Sequence, residues 1–320
     1  MSKNKLIVFS LLLLVLSGYY LYVNNKNTKP RKEPYAISVI CSGESAEEFS
    51  VLKSGIDKAA DEFNADVSFF TLTKANDAGQ QISLLEREVE NGANAVLILP
   101  VQSNEIVEPI IQADKEVPVI VMQSTLPGLS GVDTVSCDDV QLGRSLAEKI
   151  VHTEKQMQDV IILNKDGHMG ICNGLETVLK EAGSQISYLD FFHSAPDADA
   201  FNDAKKFLVS CQNQILIALD RDTLEILGKA KKNLADSHES VECHLYGVGR
   251  SNGIMSMLEE GVINSVAAEN EYGIGYLSMK TAVDRLQKKQ PQTFNVNFVI
   301  ADSSNMHNTE NESLLFPFIS

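Results

Sequence analysis

The stretch EREVENGANAVLILPVQ, residues 86–102, decides the fold class of this chain. Its polar first half ends at Asn91 and Gly92, a pair that favours the end of a helix. The apolar run at residues 95–99 is too short for a helix and has the composition of a strand that is buried on both faces. Such a strand belongs in a parallel sheet. Ligands of open α/β sheets bind outside the carboxyl ends of the strands, so function is expected just after Pro100.

The same strand–helix unit recurs along the chain and predicts an α/β fold with two doubly wound parallel-sheet lobes. Strands are predicted at residues 35–41, 67–72, 95–99, 117–122, 132–136, 160–163, 186–192, 215–219, 245–248, 265–268 and 294–300. Amphipathic helices are expected between them. This number of strand–helix repeats exceeds the number that one doubly wound sheet holds. Two similar lobes with a ligand cleft between facing strand ends are therefore expected.

The N-terminus carries an apolar run at residues 6–23, preceded by Lys3 and Lys5. As a helix it would reach roughly 27 Å, close to the thickness of a bilayer core. The run lacks a good cleavage site and no cysteine follows it until Cys41, which argues against a lipoprotein. We expect an uncleaved membrane anchor, with residues 24–34 as a polar linker to an extracytoplasmic domain. A cleaved secretion signal is the alternative.

Charge and cysteine content restrict the possible partners. The chain has 320 residues and a formal net charge of −16, and such an acidic surface argues against nucleic acid as a partner. Its five cysteines are odd in number and widely spread, without the spacing of a zinc site or a disulfide framework. They are interpreted as buried free thiols, and no metal site is expected.

Several short phrases, in their order and spacing, resemble the type I periplasmic binding proteins, the ribose-binding and LacI-like sugar-binding group. The phrases are GIDKAA at 55–60, GANAV at 92–96, VPVI at 117–120, Asp138 and Asp139 followed by Gly143, and LYGVG at 245–249. The resemblance spans residues 35–302 and suggests a membrane-anchored, Gram-positive-like member. It implies a two-lobed protein without enzymatic activity or cofactor that closes on a small polar ligand. An apolar segment stands where LacI-type repressors carry their DNA-binding helices, which excludes repression.

The resemblance also implies how the chain is divided. Residues 1–34 would be the signal anchor and linker, and residues 303–320 a tail without assigned structure. The N-terminal lobe would comprise residues 35–134 and 269–291, and the C-terminal lobe residues 135–268 and 292–302. The chain would cross between the lobes three times, near Ser136, Ala268 and Ser303.

Carried over residue by residue, the resemblance implies a ligand site. A sugar exchanges its hydrogen bonds to water for hydrogen bonds to planar carboxylates, amides and guanidinium groups, with a ring over its C–H surface. A candidate residue with an acidic or amide side chain has the alternative role of a helix N-cap. The chain departs from the family pattern at Ile171, at Gly249 and at residues 269–271. The candidate residues are Ser42, Glu44, Ser45, Phe49, Gln102, Asp138, Asp220, Arg250 and Asn270.

Three functions remain open on the sequence. The expected one is an extracytoplasmic solute-binding protein that delivers a sugar-like ligand to an ABC permease. The second is a membrane-anchored sensor that presents its ligand-bound form to a histidine kinase or chemoreceptor. The third is an NAD(P)-dependent oxidoreductase, because GVGRSNG at residues 247–253 with Glu269 beyond it is similar to a dinucleotide fingerprint. Its third glycine is one residue late and its place near the end of the repeats is unusual, so this alternative ranks last.

Overall fold

The computed structural model describes residues 33–123, 126, 128–129, 131–154, 159–165, 167–191, 198–239, 241–289 and 294–316, together with 16, 17 and 19. Compact units are formed by Met1–Tyr35 and by Ala36–Ser320. Most of the expected anchor at residues 6–23 lies outside the described residues, so the anchor stays a prediction. Within the described part, no helix is both long and apolar enough to cross a membrane.

The first sheet has the strand order β11-β5-β4-β3-β1-β2, and β1, β3, β4, β5 and β11 pair in parallel. Helix α9 packs against α1 and against strands β3 and β4. The strands are β1 Tyr35–Ile40, β2 Ala65–Phe70, β3 Ala95–Ile98, β4 Val119–Met122, β5 Asp133–Ser136 and β11 Phe294–Asn295. The helices are α1 Ser50–Phe63, α2 Ala78–Glu90, α3 Val107–Glu116 and α9 Glu271–Leu286, with short 3-10 turns at Ala46–Phe49 and Asn104–Ile106.

The second sheet has the order β12-β10-β9-β8-β6-β7 and is parallel except for β12, which runs antiparallel to β10. Its strands are β6 Val160–Leu163, β7 Ile186–Leu189, β8 Ile215–Ala218, β9 His244–Val248, β10 Ser265–Glu269 and β12 Phe298–Ala301. The helices are α4 Asp139–Thr153, α5 Met169–Glu181, α6 Ala198–Ser210, α7 Arg221–Asp236, α8 Asn252–Glu259 and α10 Thr309–Leu315. The predicted fold class, two lobes each built on a parallel sheet, is confirmed.

The central strands are buried on both faces, as their apolar runs predicted. In β8, Ile215 and Ile217 join one core cluster, while Leu216 and Ala218 join another. Since successive side chains of a strand point to opposite faces, the two clusters lie on opposite sides of the sheet. Both faces of β8 are therefore closed to water, and polar groups are left to the ends of the strands.

The last predicted strand, residues 294–300, is two strands in the structure. β11 pairs with β5 in the first sheet, and β12 pairs with β10 in the second. The third passage between the sheets therefore lies at residues 296–297, later than the expected boundary at 292 and earlier than Ser303. The strand is interrupted at residues 296–297, because its first part pairs with β5 and its second part with β10 of the other sheet. The division into separate lobes otherwise stays a prediction.

The tail was expected to be without structure, but helix α10 lies within it. Met306 and Leu315 are fully buried in the core cluster that contains Leu216, and Leu314 packs against this cluster. The apolar residues at this end of the chain cover one face of the second sheet, which explains why the polar composition of the segment was misleading. All five cysteines are free and buried, which confirms their interpretation.

The crossing of α1 and α9 leaves no room for an added side chain. A Cβ atom on Gly275 would lie 2.1 Å from the carbonyl oxygen of Leu52. We expect Gly275→Ala to lower the free energy of unfolding by roughly 1–3 kcal/mol, because the helices must separate. Gly79→Ala is the matched control, since its nearest neighbour would be 3.5 Å away. Urea unfolding followed by circular dichroism measures both, and equal stability of the two variants would contradict the close crossing.

Candidate ligand-binding site

A cavity of about 300 Å³ lies where the carboxyl ends of the two sheets face each other. The segments after β1, β2, β3 and β4 contribute one side, and the segments after β6, β8 and β9 contribute the other. The first side includes Ser42, Phe49, Leu52, Asn76, Leu99 and Gln123. The second side includes His168, Leu219, Asp220, Arg221, Asp222 and Arg250, and the end of β10 adds Glu269 and Glu271. This is the place at which doubly wound sheets bind ligands.

Four of the nine predicted site residues line this cavity, namely Ser42, Phe49, Asp220 and Arg250. The other five lie outside its lining. Glu44 accepts a hydrogen bond from the backbone N–H of Ala75, at 2.9 Å, and Gln102 is exposed. Asp138 accepts a hydrogen bond from the backbone N–H of Gln141 and caps helix α4. Asn270 accepts one from the backbone N–H of Gly273 and caps helix α9. Ser45 is half-buried beside the short turn at Ala46–Phe49. The participation of any of the nine in ligand binding stays a prediction.

Asp138 lines a second groove, of about 590 Å³. It is lined by Asp138 and Gln141 of the α4 start, by Asn297 and Phe298 at the third crossover, and by α10. The polar side chain that was expected at the first crossover is present, but it faces this groove. The sequence could not decide between the two sides of the crossover, because an N-cap aspartate fits either position.

Asp220 is both a cavity residue and an N-cap. Its Oδ1 accepts from the backbone N–H of Thr223 at 2.8 Å, and its Oδ2 accepts from the side-chain amide of Asn164, also at 2.8 Å. Both carboxylate oxygens therefore already have protein partners. The carboxylate can accept further hydrogen bonds from a ligand, because each oxygen has two lone pairs.

Arg250 projects from the loop after β9. Its Nε donates to the carbonyl oxygen of Leu315, so the C-terminal helix α10 holds the base of the guanidinium group. Burial lowers the pKa of Arg250, and Glu271 opposes that change. The preceding Gly249 has a φ of +122° and its Cβ position would lie 2.9 Å from Arg221, so only glycine suits this tight loop. The glycine-containing segment at residues 248–250 thus forms part of a loop that lines the cavity.

Two acidic residues, Glu269 and Glu271, were not predicted as site residues. Glu269 accepts from the thiol of Cys137 at 2.8 Å and from the side-chain amide of Gln123 at 2.7 Å, and burial raises its pKa. Burial also raises the pKa of Glu271 to about 7, opposed by Arg250 and reinforced by Glu269. The signal in the sequence is the departure from the family pattern at residues 269–271, where two acids flank Asn270.

His168 faces the same space from the second lobe, and burial lowers its pKa while Asp220 and Asp139 oppose that change. Among the described residues, Cys137, Asp139 and Glu269 form a group whose donor atoms lie within 4.8 Å of one another, a spacing that a divalent cation could use. Both oxygens of Glu269 already accept hydrogen bonds, from Cys137 and from Gln123, and no metal is assigned to this group.

Comparison with known proteins places this geometry among related folds. A family model described as a periplasmic binding protein domain matches residues 37–290. No curated protein matches the sequence significantly. A carbohydrate transporter solute-binding protein from Agrobacterium radiobacter, solved with D-arabinose, has a TM-score of 0.78 at 19% identity, covering 89% of this chain and 99% of its own.

Two further solved structures have similar scores. The glucose-galactose binding protein GanP from Geobacillus stearothermophilus has a TM-score of 0.76 at 16% identity, covering 86% of this chain and 100% of its own. A XylFII-LytSN complex has a TM-score of 0.72 at 16% identity, covering 84% of this chain and 98% of the matched chain. At these identities the likeness establishes the fold.

Loss of the Asp220 cap should weaken the second lobe. We expect Asp220→Ala to lower the free energy of unfolding by about 1–2 kcal/mol, since the N–H of Thr223 loses its acceptor. Asp222→Ala is the control, because the side chain of Asp222 is 80% exposed and its removal should change stability by less than about 0.5 kcal/mol. The two free energies come from urea titrations. Equal values would show that Asp220 does not stabilise α7.

Glu271 should make the unliganded protein less stable as the pH rises. In the folded chain its carboxyl group has a pKa of about 7, whereas the ordinary pKa is 4.5. Between these values the folded state binds more protons than the unfolded state, so the free energy of unfolding falls with rising pH. Glu271→Gln should therefore gain stability relative to the wild type between about pH 5 and about pH 7.5 in parallel urea titrations. A difference that does not change with pH would contradict the raised pKa.

Proposed function

The chain belongs to the periplasmic binding protein family over residues 37–290, and from this premise we propose that it binds a small polar, sugar-like ligand between its lobes and delivers it to an ABC permease. The family consists of binding proteins, so the chain is not an enzyme. This membership contradicts the alternative of an NAD(P)-dependent oxidoreductase. The family also implies that the binding domain is extracytoplasmic, and the N-terminal anchor is part of the proposal.

The observation that carries the proposal is the cavity shared by both lobes. Its lining combines carboxyl, guanidinium and amide groups at the strand ends with apolar side chains, including Phe49 and Leu52 on one side and Leu219 on the other. A polyol requires such a mixture, because its hydroxyls need hydrogen-bond partners and its C–H surface needs an apolar wall. A ligand that touches both sides would favour closure of the lobes.

The similar structures support a sugar as the ligand class. One was solved with D-arabinose, and another is described as a glucose-galactose binding protein. A third, with bound D-fucose, comes from Agrobacterium vitis. These ligands define the first compounds to test here.

A second function is supported by a different observation. One similar structure is a complex of two named proteins, XylFII and LytSN, so this fold can present a surface to another protein. Together with an uncleaved anchor, this favours a membrane-bound sensor that signals its ligand-bound form to a histidine kinase or chemoreceptor. Affinity purification of the full-length protein from membranes separates the roles, because permease subunits would be recovered for import and a receptor protein for sensing.

A true ligand should stabilise the protein and make it more compact. At a hundredfold excess over Kd, ligand binding adds about 2.7 kcal/mol to the free energy of unfolding, enough for a clear rise in melting temperature. We expect at least one of D-arabinose, D-fucose, D-glucose and D-galactose to produce that rise and to reduce the radius of gyration in small-angle scattering. A rise without compaction would argue against lobe closure.

A pair of arginine variants controls this experiment. Arg250→Gln should abolish the rise, because Arg250 lines the cavity. Arg144→Gln makes the same change on α4, outside the cavity lining, and should leave the rise unaltered. If both variants keep the ligand response, the ligand binds elsewhere and the placement of the site is wrong.

A further inference from the structure

The charges in the cavity are unequal. Four carboxyl groups line it, from Asp220, Asp222, Glu269 and Glu271, against the guanidinium groups of Arg221 and Arg250. Burial keeps the pKa of His168 low, so its imidazole adds little positive charge. The cavity therefore has more acidic than basic groups, within a chain whose formal net charge is −16.

Three of the four carboxyl groups already have partners. Asp220 and Glu269 accept hydrogen bonds at both oxygens, as described above. Asp222 is exposed and forms an ion pair with Arg221 at 3.1 Å. Glu271 differs from them: within the described part of the chain, its carboxyl group makes no hydrogen bond and no ion pair.

Glu271 is nevertheless held in place. It stands in the first turn of α9, directly after the N-cap residue Asn270, and this helix is fixed by its close crossing with α1. Arg250 lies near enough to oppose the rise in the pKa of Glu271. The Nε of Arg250, however, donates its hydrogen bond to the carbonyl oxygen of Leu315. A preorganised carboxyl group that faces a cavity without a partner is suited to a ligand group that donates hydrogen bonds.

We propose that the ligand carries a protonated amine beside its hydroxyl groups, as amino sugars and amino polyols do, and that Glu271 receives this amine. The inference rests on the proposed function, because it requires the same cavity to be the ligand site. An ammonium group would form the direct ion pair that the half-buried Glu271 lacks within the described part of the chain, and a charge-assisted hydrogen bond is stronger than a neutral one. The terminal nitrogens of Arg250 then serve the hydroxyl oxygens of the ligand.

The raised pKa of Glu271, about 7, agrees with this arrangement, because it reflects a carboxylate that is buried without adequate compensation. The groups that face it are Glu269, which raises the pKa further, and Arg250 and Arg221, which lower it. The overall negative charge of the chain adds a longer-range attraction for a cationic ligand, which favours capture from solution at low ionic strength.

Titration calorimetry on the full-length protein in detergent tests the inference. The probes are D-glucosamine and D-galactosamine, each beside its parent sugar, D-glucose and D-galactose, at neutral pH. We expect at least one amine to bind about tenfold or more tightly than its parent, the scale of one charged hydrogen bond. Glu271→Gln should remove this preference. It should raise the Kd of the amine about 10- to 100-fold and change the Kd of the parent sugar by less than about threefold.

Glu108→Gln is the matched control, since it makes the same acid-to-amide change in the first turn of another helix, α3, outside the lining of the cavity. It should retain the preference for the amine. Parent sugars that bind as well as their amines would overturn the inference and leave the proposed function standing. A preference that survives in Glu271→Gln would also overturn it, because another group then receives the amine. Absence of binding and of compaction with all four sugars would count against both proposals.

Discussion

The constraint on which the rest of the structure depends is the burial of parallel strands on both faces. A central strand such as β8 has no face available for polar side chains, since its alternate residues belong to cores on opposite sides of the sheet. Polar side chains can follow only where the strand ends and the next helix begins. There the first N–H groups of the helix have no intrahelical acceptor, so residues such as Asp220 and Asn270 are stabilising as caps. The same constraint thus creates the helix starts and the ligand site.

The second feature that organises the molecule is the contact among its three crossovers. The backbone N–H of Val296 donates to Ser136, and that of Asn270 donates to Asn297, so the crossing segments lie side by side. The Cys137 thiol and the Gln123 amide both donate to Glu269 at the same place. Side chains at the floor of the cavity are therefore bonded to the segments about which the lobes would move. A ligand that bonds to Glu271, two residues along, would act close to this point.

Much of the fold was accessible from the sequence because its signals are local. Apolar runs such as residues 95–99, followed by proline or by short polar residues, identify buried parallel strands without any knowledge of their partners. The errors came where partners matter. The segment 294–300 reads as one strand, and only pairing shows that it serves both sheets. The tail reads as polar, yet Met306 and Leu315 are buried because the second sheet offers them an apolar surface.

The sequence by itself determined the two-lobed α/β fold and the segments that meet at the strand ends, because the periodicity and order of its elements are properties of short stretches of chain. The family was indicated by the resemblance of short phrases such as GIDKAA at 55–60 and LYGVG at 245–249. It also proposed Ser42, Phe49, Asp220 and Arg250, which line the cavity. Only the tertiary structure decided that Asp138 faces a second groove, that Glu44 bonds to a neighbouring loop, and that Glu269 and Glu271 enter the cavity. The physical reason is that an acid at a helix start has the same local sequence whether it faces solvent, caps the helix or faces a ligand. Its burial and its neighbours, which set its pKa and its free hydrogen-bonding capacity, come from other parts of the chain, as for Glu269, whose partners Cys137 and Gln123 are 132 and 146 residues away.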